Sequence, residues 1–193
     1  MATAPALLHP LDEFYASAGH ALPEAEAVTT AALPQAPRDL LAAAGELTPR
    51  LERRCGHPLG LRVLARRHAN GSYARLVGLV PADGGRPVAL GAVKLTLDGF
   101  EAALQARILA ERAPLGVVLR DAAAIERRSE GLVRVRCDAL LATALALDDG
   151  VSGAAASPAW LYGRRSRLFD EAGHPLASIL ELLPPSRSRR GLR

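Results

Sequence analysis

The feature that most limits the folds open to this chain is a change of period at residue 59. Leu59, Leu61, Val63 and Ala65 alternate with Gly60, Arg62, Leu64 and Arg66, and two further strand-like stretches follow, Tyr73 to Val80 and Pro87 to Leu97. Between those two lies Pro81-Ala82-Asp83-Gly84-Gly85-Arg86, a turn sequence that closes an antiparallel hairpin. Val133, Val135 and Cys137 alternate with Arg134 and Arg136 in a fourth strand that is expected to run on toward Leu145. Trp160 to Phe169 and Pro175 to Leu183 form a last pair, joined by Asp170-Glu171-Ala172-Gly173-His174 and ended by Pro184-Pro185. Strands joined by hairpins predict an α+β domain, one antiparallel sheet of about six strands with its helices on one face.

Helical signals fall before and between the strands. Arg38 to Ala44 reads as a helix ended by Gly45. Thr48 as N-cap with Pro49 after it opens a second helix, which runs to about Arg54 and is closed by Gly56. Asp98 with Glu101 three residues on reads as the cap of a third, with Phe100, Leu104 and Ile108 on one face and Pro114-Leu115-Gly116 at its end. Residues 1–37 carry five prolines and are expected to form an arm, residues 38–185 the domain, and residues 186–193 a solvated, disordered tail.

Composition excludes several functions. The basic side chains are 23 Arg and the single Lys94, and Arg187, Arg189, Arg190 and Arg193 of the final segment account for the whole formal charge of +4. With only 4% aromatic residues to stack on bases, no nucleic-acid partner is expected. Cys55 and Cys137 are too far apart in sequence for a CxxC site and are read as buried apolar side chains, with no metal. No apolar run approaches the ~20 residues of a membrane span, and no leader pattern opens the chain, so a cytoplasmic monomer is expected.

No phosphate loop, GxGxxG, GxSxG or HExxH occurs, and the five histidines lie in loops or at strand ends. Two charges break apolar strands instead. Glu181 shares a strand face with Ala177, Ile179 and Leu183. Either it is satisfied by an internal ion pair across from Gly163 or Arg164, or its desolvated carboxyl serves as an acid or base in a pocket. Arg75 interrupts Tyr73 to Val80, and it either decorates a solvent face or clamps a ligand carboxylate.

Leu161-Tyr162-Gly163-Arg164-Arg165-Ser166-Arg167-Leu168, then Gly173-x-Pro175-Leu176, then Glu181-Leu182-Leu183-Pro184 resembles the C-terminal hairpin of chorismate pyruvate-lyases. Leu47-Thr48 before a basic helix, Arg75 ahead of an Ala-Asp-Gly turn, and Pro114-Leu115-Gly116 have counterparts in the same order. The stretch from 117 to 159 is longer than in that family, and Glu181 stands one position off the gapless alignment. The resemblance implies an internal ligand pocket and a bacterial carbon–oxygen lyase of ubiquinone biosynthesis. Its reaction would convert chorismate to 4-hydroxybenzoate and pyruvate without a cofactor. It implies Glu181 and Arg75 as catalytic residues, with Leu115, Gly116, Leu47, Thr48 and Arg164 binding substrate. The effector-binding UTRA domain of winged-helix regulators shares this fold, and gives the alternative of a non-catalytic binder of small aromatic acids. A DNA-binding domain is not expected within residues 1–37.

Overall fold

The computed structural model describes residues 3–185 apart from 44, 70, 121, 123–124 and 148–158. The segment from 148 to 158, whose Gly, Ser and Ala content reads as a loop, and the expected tail from 186 to 193 lie outside the described residues. Seven strands form one sheet, all of whose pairings are antiparallel: β1 (Ala25–Val28), β2 (Leu59–Ala69), β3 (Ser72–Pro81), β4 (Ala89–Thr96), β5 (Glu126–Arg136), β6 (Trp160–Phe169) and β7 (Pro175–Leu183). Their spatial order is β1-β5-β6-β7-β4-β3-β2, so β7 closes the gap between the two hairpin systems. The helices are α1 (Ala4–Leu8), α2 (Leu11–Ala18), α3 (Gln35–Leu41), α4 (Thr48–Cys55), α5 (Ala102–Leu109), α6 (Leu115–Leu119) and α7 (Ala139–Ala144). None is long and apolar enough to cross a membrane.

The antiparallel α+β class is as read from the sequence, but helices cover both sheet faces rather than one. On the first face Ala92, Val133, Leu161 and Leu180 meet Leu7, Leu8 and Leu11 of the N-terminal helices and Leu141 of α7. On the second face the core divides. Val93, Leu95 and Ile179 pack with Phe100, Ile108 and Leu115, while Leu59, Leu79 and Leu183 pack with Leu40, Leu47 and Leu51. Strands buried on both faces are apolar at nearly every position, and β7 reads Leu-Ala-Ser-Ile-Leu-Glu-Leu-Leu for that reason.

The seventh strand comes from the expected arm. Residues 4–37 contribute α1, α2 and β1, which pairs with β5 along Ala25↔Val135 and Val28↔Leu132. The prolines do not prevent this because Pro5 lies in the first turn of α1, Pro10 between α1 and α2, and Pro34 and Pro37 at the start of α3, where backbone N–H groups lack helical partners anyway. The same tolerance of Pro37 moves α3 three residues ahead of its expected start at Arg38.

Three helix starts and one strand end also differ. Thr48 is already the first residue of α4, with Leu47 at the cap position and no side-chain capping bond. Asp98 lies in a single 3-10 turn at Leu97–Gly99, and Glu101 is the residue before α5. Burial of Phe100, which is extended between them, separates the two turns. The fourth strand does not continue to Leu145, because Asp138 accepts from the N–H of Leu141 at 2.9 Å and starts α7. Pro114 likewise opens α6 rather than only ending α5.

Strands β6 and β7 approach closely at Gly163, where a Cβ would lie 2.5 Å from the carbonyl oxygen of Glu181 and 2.5 Å from Leu182 Cδ2. The first of these is backbone and cannot swing away. Gly163→Ala is therefore expected to cost about 2 kcal/mol in urea unfolding, the scale of overpacking a filled core. Gly60→Ala, whose Cβ would meet nothing closer than 3.8 Å, is the control for a strand glycine without that approach.

Candidate functional site

A cavity of about 170 Å³ lies on the second sheet face, where the two halves of the core meet. Its floor is Val77 of β3, Ala89, Gly91 and Val93 of β4, and Ile179 of β7. The loop Gly45 to Thr48 and the start of α6 complete the wall. Small residues keep it open: Gly91 pairs with Glu181 on one side and Val77 on the other, and adds no side chain to the floor. An apolar cavity of ~150 Å³ holds benzene, so this one has room for a single six-membered ring.

Of the residues singled out in the sequence, Arg75, Glu181, Leu115, Gly116, Leu47 and Thr48 all line this cavity. Arg164 does not. It is buried behind Glu181, donating from Nε to Glu181 Oε2 at 2.6 Å and from Nη1 to the Gly45 carbonyl at 2.8 Å. Cross-strand register brings the pair together, since Arg164 stands opposite Glu181.

Arg127 joins them and was not foreseen. Its Nη2 donates to Glu181 Oε2 at 3.1 Å and its Nε to Ser166 Oγ at 3.0 Å. Alternation back from Val133 would put residue 127 on the opposite face. A bulge between Ser129 and Gly131 reverses the alternation, so Arg127 shares the second sheet face with Leu132 and Arg164, and of the three it is Arg127 that lines the cavity. Glu181 is thus the ion-paired carboxylate that its register with Arg164 allows, with two guanidinium donors on one oxygen.

Among the described residues Arg75 has no carboxylate in contact with it, only the Tyr73 hydroxyl beside it. The arginine is 1% exposed, its Nη1 reaches the Ile108 carbonyl at 3.4 Å, and its buried Nε is without a hydrogen bond. Burial pushes the guanidinium below the usual arginine range, with the Tyr73 hydroxyl and Glu111 as the nearest opposing influences. Arginine stays protonated at neutral pH in proteins, so the site holds a desolvated cation without a direct counter-ion.

Behind Arg75 lies a second cluster. Glu111, at the end of α5 with φ of 52°, accepts from Arg66 Nε at 2.7 Å and from the Tyr73 hydroxyl. Arg66 reaches that face only because a bulge between Val63 and Ala65 shifts the register of β2, which sets Arg66 opposite Arg75. Hydrogen bonds from Arg66 and Tyr73 hold the Glu111 carboxyl below its ordinary range. Burial, with the bond to Glu111, pushes the Tyr73 phenol up to about 12. Because the folded state keeps that proton more tightly than the unfolded chain, the stabilisation is complete below pH ~10 and is lost as pH rises toward 12. Thermal unfolding is therefore expected to drop by several degrees between pH 10 and 12, and less steeply in Tyr73→Phe.

The histidines stand apart from the cavity: His9 lies 3.2 Å from Asp12, His174 lies 3.0 Å from Asp170 with its side chain largely in solvent, and the rings of His68 and Tyr73 are 4.7 Å apart. Cys55 and Cys137 are free thiols, each half-buried rather than fully buried. Among the described residues no group of three metal-ligating side chains occurs.

No protein-family model matches the chain, and no curated protein matches it. Solved structures do. The effector domain of PhnF from Mycobacterium smegmatis aligns with 74% of this chain and 90% of its own length, at 15% identity and a TM-score of 0.54. PhnF itself aligns with 73% of this chain at 14% identity and a TM-score of 0.50. The chain spans 64% of that protein's length. The ligand-binding domain of a putative GntR-family transcriptional regulator from Bordetella bronchiseptica aligns with 70% of this chain and 92% of its own length, at 14% identity and a TM-score of 0.44. The chain thus has the chorismate-lyase-like fold in the form that the PhnF effector domain takes, and the likeness to chorismate pyruvate-lyases in its last hairpin extends as far as that fold.

Proposed function

We propose that this domain binds a small aromatic carboxylate in the cavity and does not transform it. One observation carries the reading: Arg75, fully buried and, among the described residues, without a carboxylate in contact, stands in the wall of a mostly apolar space the size of one ring. A guanidinium fork satisfies a carboxylate with two parallel hydrogen bonds, and the surrounding Val77, Val93 and Ile179 suit a ring face. Glu181 favours binding over turnover, because the carboxylate on which acid or base chemistry would depend is already taken by Arg127 and Arg164. The fold shared with an effector domain points the same way. Calorimetric titration with 4-hydroxybenzoate tests the proposal: saturable binding at one site supports it, and no heat up to millimolar ligand overturns it.

The lyase reading keeps one observation in its favour. Arg75, Leu115 and Glu181, which the hairpin resemblance singles out, line the same cavity although they are far apart in sequence. Incubation with chorismate decides between the two, since a binding domain releases no pyruvate whatever its affinity.

A further inference from the structure

The cavity wall contains a second carboxylate that neither reading uses. Glu46, in the loop ahead of α4, lines the space with Gly116, and its carboxylate atoms lie 2.6–2.7 Å from the point where a Cβ on Gly116 would be. Glycine at 116 is therefore what allows Glu46 to lie there. Among the described residues, Glu46 has neither a hydrogen-bond partner nor an ion pair, in contrast to Glu181. Its oxygens are half-buried and still reach water, so a ring that fills the cavity shuts that water out and must supply a donor in its place.

The charges of the wall narrow what that donor can be. Arg75 is placed to take one ligand carboxylate, while Arg127 and Arg164 are already occupied by Glu181. A ligand with a second carboxylate would set like charges beside Glu46. A neutral O–H or aryl N–H donor does not.

We infer that Glu46 is a specificity-determining residue that selects aromatic monocarboxylates bearing a neutral hydrogen-bond donor and rejects dicarboxylates. This rests on the proposal that Arg75 holds a ligand carboxylate in this cavity. Sites built to hydrogen-bond a hydroxyl discriminate strongly against ligands without one, because the acceptor is otherwise left buried and unpaired.

The test compares benzoate, 4-hydroxybenzoate, 4-aminobenzoate and terephthalate by calorimetry. The wild-type chain is expected to bind the hydroxy or amino acid about 10-fold more tightly than benzoate, and terephthalate least. In Glu46→Gln the preference over benzoate should fall below about 3-fold and terephthalate should gain about 10-fold. Gly116→Ala is the independent variant: its new Cβ displaces the flexible end of Glu46 without removing the charge, and should flatten the same preference. If benzoate binds but its ratio to 4-hydroxybenzoate and 4-aminobenzoate is near unity, or survives in Glu46→Gln, the inference is overturned while the binding site stands. If none of the four acids binds the wild-type chain, the proposed function falls and the inference with it.

Discussion

Arg75→Met is expected to weaken 4-hydroxybenzoate binding about 100-fold, or ~3 kcal/mol, the scale of a buried carboxylate that loses its charged partner. Methionine fills much of the volume of the arginine stem and leaves the apolar wall of Val77, Val93 and Ile179 in place, so the loss reports on the guanidinium rather than on a collapsed cavity. The unliganded variant should be as stable as the parent or more so. Arg75 gives the apo fold little in return for its desolvation: a 3.4 Å hydrogen bond to the Ile108 carbonyl, the neutral Tyr73 hydroxyl, and a buried Nε with no acceptor among the described residues. Replacing an uncompensated buried charge by an apolar side chain is neutral to stabilising. Tight binding together with a large drop in the melting temperature would show that Arg75 is a structural residue. Lost binding with an unchanged or raised melting temperature is the signature of a side chain kept for its ligand.

How far the sequence foretold this site depends on whether alternation stays in register. It does in β3 and β7, where Arg75 and Glu181 each stand out within an apolar run and both face the cavity. It breaks in β2 and β5, where single-residue bulges turn Arg66 and Arg127 to the side opposite to the one their neighbours imply. A bulge leaves little trace in sequence beyond a glycine such as Gly131, so the partners of Glu181 could be read only as far as Arg164. Glu46 left no signal either, being one carboxylate in a loop, and only its approach to Gly116 in space marks it. The N-terminal segment is legible only in part. Its prolines do limit it to short helices, with Leu11, Phe14 and Tyr15 buried against the domain, but nothing in their spacing announces the four-residue strand that extends the sheet edge.

Glu181→Ala should be the most damaging substitution in the cavity for the fold itself, lowering stability in urea by about 3 kcal/mol, because it leaves cations without their anion in a place water hardly reaches. Arg164 has a side chain only 7% exposed and would keep a single acceptor, the Gly45 carbonyl, with its buried Nη2 already lacking one. Arg127, at 22% exposed, can turn toward solvent and soften the loss, which places the figure at the low end for a broken buried pair. The ion pair and the catalytic acid can be told apart by a cycle. If Glu181 serves mainly to satisfy Arg164, then adding Arg164→Met to Glu181→Ala should recover more than half of the lost stability, since the stranded charge is gone and the methionine keeps much of its volume. Measured alongside pyruvate release from chorismate, the cycle gives opposed results for the two readings. A chain whose Glu181→Gln variant is fully stable yet loses turnover has a catalytic carboxylate there. A chain that never turns over, but loses ~3 kcal/mol in Glu181→Ala and regains it in the double variant, has an ion pair that shapes one end of a binding pocket.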